Sequence, residues 1–90
     1  MQKQIVLKIF GKVQGVFFRD SSRKKAKELN LFGCVRNKPD GTVEIVAEGE
    51  EGKLQEFIRW CKGHPGYSKV EKMDVEWRES AGNFGSFAVK

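Results

Sequence analysis

Two side chains, Arg19 and Asn37, have the type and setting to do chemistry. Arg19 ends the stretch Gly11-Lys12-Val13-Gln14-Gly15-Val16-Phe17-Phe18-Arg19, which follows an alternating apolar pattern and precedes a helical one. Two glycines let the backbone turn tightly, so the N–H groups of Gln14, Gly15, Val16, Phe17, Phe18 and Arg19 can converge on one point. At a helix N-terminus that point favours an anion. The planar, permanently charged fork of Arg19 fits phosphate oxygens. The stretch therefore reads as a seat for a single phosphate. By its spacing alone it is also an ordinary strand-to-helix turn with a surface arginine.

Hydrolysis at such a seat needs a water aimed at the reacting atom. Asn37 closes the stretch Gly33-Cys34-Val35-Arg36-Asn37, just before a turn. A carboxamide accepts from water while donating to another oxygen, and it stays neutral beside an anion. Asparagine is also common at turns, and position alone favours that plainer role. Neither stretch contains a general base. Asp20, directly after Arg19, reads as the acid of a helix start.

The elements that must position these groups are legible along the chain. Gln4 to Phe10 alternates, with Ile5, Leu7 and Ile9 on one face, as a half-buried strand does. Phe18, Ser22, Ala26 and Leu29 recur at helical spacing, and Asn30 suits a left-handed stop. Gly33 to Lys38 and Thr42 to Glu48 form a hairpin around Pro39-Asp40-Gly41. Gly49-Glu50-Glu51-Gly52 breaks the strand before a second helix, with Leu54, Phe57, Ile58 and Cys61 as its apolar stripe. Gly63-His64-Pro65-Gly66 ends that helix, Val70 to Trp77 is a fourth strand, and Phe84, Phe87 and Val89 mark a short last one. The order βαββαβ predicts an α+β, ferredoxin-like sandwich: an antiparallel sheet, two helices on one face and a short fifth strand. Residues 1–90 are expected to form a single domain.

The net charge of +5 is uneven. Residues 1–40 hold ten Lys/Arg against three Asp/Glu, and residues 41–90 hold seven against nine. The phosphate stretch thus lies in the positive half, which would steer small anions inward. A run such as Arg23-Lys24-Lys25 is also the usual composition of a solvated face. Two cysteines, Cys34 and Cys61, and one histidine, His64, make neither a disulfide framework nor a metal site. Trp60 and Trp77 read as packing residues, His64 as a surface residue and Tyr67 as a loop anchor. No apolar run approaches the ~20 residues that span a bilayer, and no signal-peptide core opens the chain. A soluble cytoplasmic protein is expected. With no exposed heptad or long interaction helix, so is a monomer.

Both stretches resemble the signatures of the acylphosphatase family. The first signature, Gly-x-Val-Gln-Gly-Val-x-Phe-Arg, is matched by Gly11, Val13, Gln14, Gly15, Val16, Phe18 and Arg19. The second, Gly-aromatic-Val-Arg-Asn-x-x-x-Gly-x-Val, is matched by Gly33, Val35, Arg36, Asn37, Gly41 and Val43. The likeness continues through Pro65, Val70, Val75 and Trp77 to the final strand. It implies a hydrolase that cleaves acyl phosphates to a carboxylate and inorganic phosphate, with phosphate as product and inhibitor. Arg19 would be the catalytic arginine and Asn37 the residue that orients water. The substrate's own phosphate would take the proton, with no metal or cofactor. Cys34 departs from the usual aromatic, and Asn30 stands where glycine is frequent. Cys34 and Asn37 should face opposite sides of the strand, so the departure concerns packing more than chemistry.

Two other functions compete. One is a non-catalytic, regulatory acyl- or carbamoyl-phosphate-binding module, like the related domain of carbamoyl-transfer maturation enzymes. The other is an RNA-binding domain, which shares the layout and the basic charge. The third strand, Thr42 to Glu48, lacks the aromatics that stack bases, and no nucleic-acid partner is expected.

Overall fold

The computed structural model describes residues 2–15, 18–63, 69–82 and 84–90. Its elements are β1 (Gln2–Lys12), α1 (Phe18–Glu28), β2 (Phe32–Asn37), β3 (Val43–Glu50), α2 (Glu51–Lys62), β4 (Lys69–Glu79) and β5 (Phe87–Val89). They form one five-stranded sheet in the order β4-β1-β3-β2-β5. The four longer strands are antiparallel, as the pattern predicts, while β5 runs parallel to β2 and makes the sheet mixed.

Alternation builds the core. Ile5, Leu7 and Ile9 of β1 are fully buried beside Val43, Ile45 and Ala47 of β3 and Val35 of β2. Phe18, Ser22 and Ala26 of α1, and Leu54, Phe57 and Cys61 of α2, bury helical stripes in that same core. Ser22 Oγ donates to the Phe18 carbonyl at 2.7 Å, which satisfies its hydroxyl inside an apolar stripe. Trp60 stacks between Phe18 and Phe57, with ring centroids 6.4 and 5.9 Å away, and so ties α2 to the first turn of α1. Trp77, expected to pack, is instead 43% exposed on the edge strand β4.

Asn30 stops α1 as its side chain suggests. It adopts φ 58°, its N–H donates to Lys27 O at 3.1 Å, and Leu31 N–H reaches back to Ala26 O at 2.8 Å. This is the Schellman pattern, with buried Leu31 as its apolar clasp. The hairpin turn is held by Asp40, which accepts from Thr42 N at 3.0 Å and from Thr42 Oγ1 at 2.6 Å. Those bonds, with Lys8 at 3.2 Å, lower its carboxyl to a pKa of about 2. The expected break at Gly49 is absent: β3 continues to Glu50 and α2 begins at the next residue. The final strand starts at Phe87, so Phe84 lies outside it. His64 and Tyr67 fall outside the described residues.

Candidate active site

The two glycines of the first motif do different work. Gly11 lies within β1, at φ 126°, where the register against β4 shifts. A Cβ there would collide with the main-chain oxygen of Lys69, so Gly11 serves a bulge rather than the anion turn. Gly15 sits in the turn itself, at φ 72°, with open space where a Cβ would point. The absent side chain leaves the backbone there bare. Val13, between them, is 1% exposed and donates its N–H to Gly11 O at 3.1 Å.

Gln14 joins the two motifs. Its Nε2 donates to the carbonyls of Lys38 at 2.9 Å and Thr42 at 2.8 Å, at the two ends of the hairpin turn. The loop is thereby fastened next to Asn37. Among the described residues, neither Gln14 nor Gly15 commits its main-chain N–H to a protein acceptor. The N–H groups of Phe18 and Arg19 open α1 and have no intrahelical partner either. Val16 and Phe17, also expected to contribute amides, lie outside the described residues.

Arg19 lines a cavity of about 420 Å³. Among the described residues, Val13 and Gly15 of the loop, Phe18, Asp20 and Arg23 of α1, and Val89 of β5 also line it. Arg19 Nη1 donates to the main-chain oxygen of Lys90 at 2.8 Å, while Lys90 N–H donates to Val35 O, also at 2.8 Å. This chain of bonds fixes the guanidinium from the end of β5 and, among the described residues, leaves the rest of its fork uncommitted.

Asn37 ends β2, two residues after Val35 and directly before Lys38. It is not on the wall of the Arg19 cavity. Its Oδ1 is buried, and no described residue donates to it. A buried acceptor without a donor costs about 1–3 kcal/mol, which makes this carbonyl a natural acceptor for water.

Asp20 is engaged as a helix-start acid. Arg23 Nη2 reaches its Oδ1 at 3.2 Å and Lys24 Nζ its Oδ2 at 3.3 Å. Hydrogen bonds from Arg23 and then Lys24 hold its carboxyl below the usual aspartate range, which unfits it as a base. Cys61 is buried, and desolvation pushes its thiol up and away from reactivity. Cys34, at the aromatic position of the motif, is half-buried.

Sequence reasoning missed three contributors. Arg23 passed as part of a solvated run, although its spacing of four from Arg19 puts both on one helix face. Gln14 was assigned only a main-chain amide, and nothing local marks Lys90 as the acceptor that orients Arg19.

Comparison with known proteins identifies relatives of this sequence and fold. The acylphosphatase family model matches residues 5–89. An acylphosphatase of Rubrobacter xylanophilus is 46% identical over 88 residues, covering 98% of this chain and 80% of that protein. The crystal structure of acylphosphatase from Bacillus subtilis superimposes with a TM-score of 0.93 at 36% identity, covering 98% of each chain. An acylphosphatase structure from Coxiella burnetii gives a TM-score of 0.86 at 40% identity, covering 99% of this chain and 93% of that one.

Proposed function

This chain belongs to the acylphosphatase family and hydrolyses acyl phosphates, and from that premise we propose how its residues do so. The main-chain N–H groups from Gln14 through Gly15, Val16, Phe17 and Phe18 to Arg19 hold the phosphoryl oxygens, and the Arg19 guanidinium neutralises their charge. Asn37 accepts a hydrogen bond from a water and aims it at phosphorus, in line with the carboxylate leaving group. The new P–O bond forms as the bond to the acyl oxygen breaks. The carboxylate departs with the electron pair, and the water proton passes to a phosphoryl oxygen of the substrate.

The observation that carries this mechanism is Arg19, fixed on the cavity wall by Lys90 with the rest of its fork uncommitted among the described residues. The orphaned Oδ1 of Asn37 supports the water role. Positioning and charge stabilisation suffice for a leaving group this good. Residues 1–90 would act as a single domain, a cytoplasmic monomer with small acyl phosphates as partners and no nucleic acid. In support, β3 carries no aromatic for base stacking, and no described helix is long and apolar enough to cross a membrane.

Hydrolysis of benzoyl phosphate tests the two roles. Removing one charge-stabilising donor typically costs ~10²–10³ in rate. Arg19→Ala should lose about that much and also weaken competitive inhibition by inorganic phosphate. Asn37→Ala should depress kcat while the inhibition constant for phosphate stays near wild type. Wild-type turnover in Asn37→Ala would refute the water-orienting role.

A further inference from the structure

The Arg19 cavity holds a second cation that phosphate capture does not require. Arg23 stands one helical turn beyond Arg19, and both line the cavity. Its guanidinium is steadied through one nitrogen, Nη2, by Asp20 Oδ1 at 3.2 Å. Asp20 does not cancel the local charge, because its other oxygen is shared with Lys24 at 3.3 Å. The rest of the Arg23 fork is uncommitted among the described residues, and the side chain is 33% exposed, so its field is only partly screened.

The cavity, at about 420 Å³, is larger than one tetrahedral anion fills and lies in the range of small-molecule sites. With the phosphate held at Gly15 and Arg19, the remaining room belongs to the acyl group. Val89, 40% exposed, gives that room an apolar wall, and Arg23 gives it a positive one. We propose that Arg23 is a specificity-determining residue, selecting acyl phosphates whose acyl part carries a second anionic group, a carboxylate or a phosphate. The proposal rests on the phosphate seat described above.

Matched substrates test it: benzoyl phosphate against 3-carboxybenzoyl and 4-carboxybenzoyl phosphate, which differ only by the added carboxylate. A partly exposed ion pair of this kind corresponds to roughly a fivefold to tenfold preference. In Arg23→Gln, the kcat/KM ratio of the better carboxylated substrate over benzoyl phosphate should fall by about that factor, through KM rather than kcat. Arg23→Lys should retain part of the ratio, Arg23→Glu should push it lower still, and added salt should shrink the wild-type preference. An unchanged ratio in Arg23→Gln and Arg23→Glu would overturn the proposal. So would an equal loss for both substrates with weaker phosphate inhibition, since Arg23 would then be a phosphate ligand. Failure of the wild-type protein to hydrolyse benzoyl phosphate would instead remove the phosphate seat itself, and this inference with it.

Discussion

Two buried side-chain oxygens, on adjacent strands, are treated in opposite ways. Glu48, on β3, is 4% exposed, and donors surround its carboxylate: Gln4 Nε2 at 2.7 Å, Ala81 N at 2.9 Å, Gly82 N at 3.1 Å and Ser80 Oγ at 3.2 Å. Asn37, at the end of β2, has a buried Oδ1 to which no described residue donates. Saturation marks an anchor: Glu48 fastens the segment after β4 to the sheet. In the proposed mechanism, the unmet acceptor of Asn37 is a place where stability is given up for reactivity. The same contrast separates Gln14, whose Nε2 donates to both Lys38 and Thr42, from Arg19, whose fork is mostly uncommitted among the described residues.

The contrast breaks most visibly by truncating the anchor. Glu48→Ala leaves the buried Gln4 amide without its acceptor, opens a void and releases the Ser80, Ala81 and Gly82 contacts, and should cost about 2–4 kcal/mol in urea unfolding. If that cost were negligible, saturation would not distinguish an anchor from a site.

Acid should act on the same group more gently. Burial pushes the Glu48 carboxyl up, but its hydrogen bonds, Ala81 N–H foremost, outweigh this and hold it below the ordinary glutamate value of 4.5. A depressed folded pKa contributes stability above the unfolded value and loses it as pH falls through the folded one. Stability should therefore decline below about pH 4.5. Asp40 should add a second loss between 3.8 and about 2. Glu48→Gln, which cannot titrate, should flatten the first part of that decline. An identical pH profile in this variant would assign the acid sensitivity elsewhere.

The smallest effect is expected at the opposite pole. Asn37→Ala removes a buried acceptor that no described group satisfies, so its unfolding free energy should not fall and should rise by about 1 kcal/mol, the low end of the cost of the unmet acceptor. A large destabilisation would make Asn37 a second anchor and erase the comparison.

What the sequence made legible is what depends on near neighbours. The alternation of Ile5, Leu7 and Ile9, the stripe of Leu54, Phe57, Ile58 and Cys61, and the left-handed Asn30 are local physics, and they took their expected form except that Ile58 is only partly buried. Gly11 reads locally as part of the anion turn, whereas its constraint, the main chain at Lys69, arrives from a distant strand. Trp77 reads as a packing residue, but its 43% exposure follows from β4 being an edge strand, which no local pattern reveals. Arg23 was hidden in a basic run until α1 turned it toward the cavity. Motif residues announce the chemistry; the groups that aim them, Gln14 and Lys90, come together only through the fold.

A crystal structure of the protein soaked with inorganic phosphate tests the central claim most directly. The anion should bind at the start of α1, bonded to the main-chain N–H of Gly15 and Arg19 and to the Arg19 guanidinium, with a water on Asn37 Oδ1. Phosphate seated away from Arg19, or an Asn37 carboxamide satisfied by the protein and turned from the anion, would contradict it.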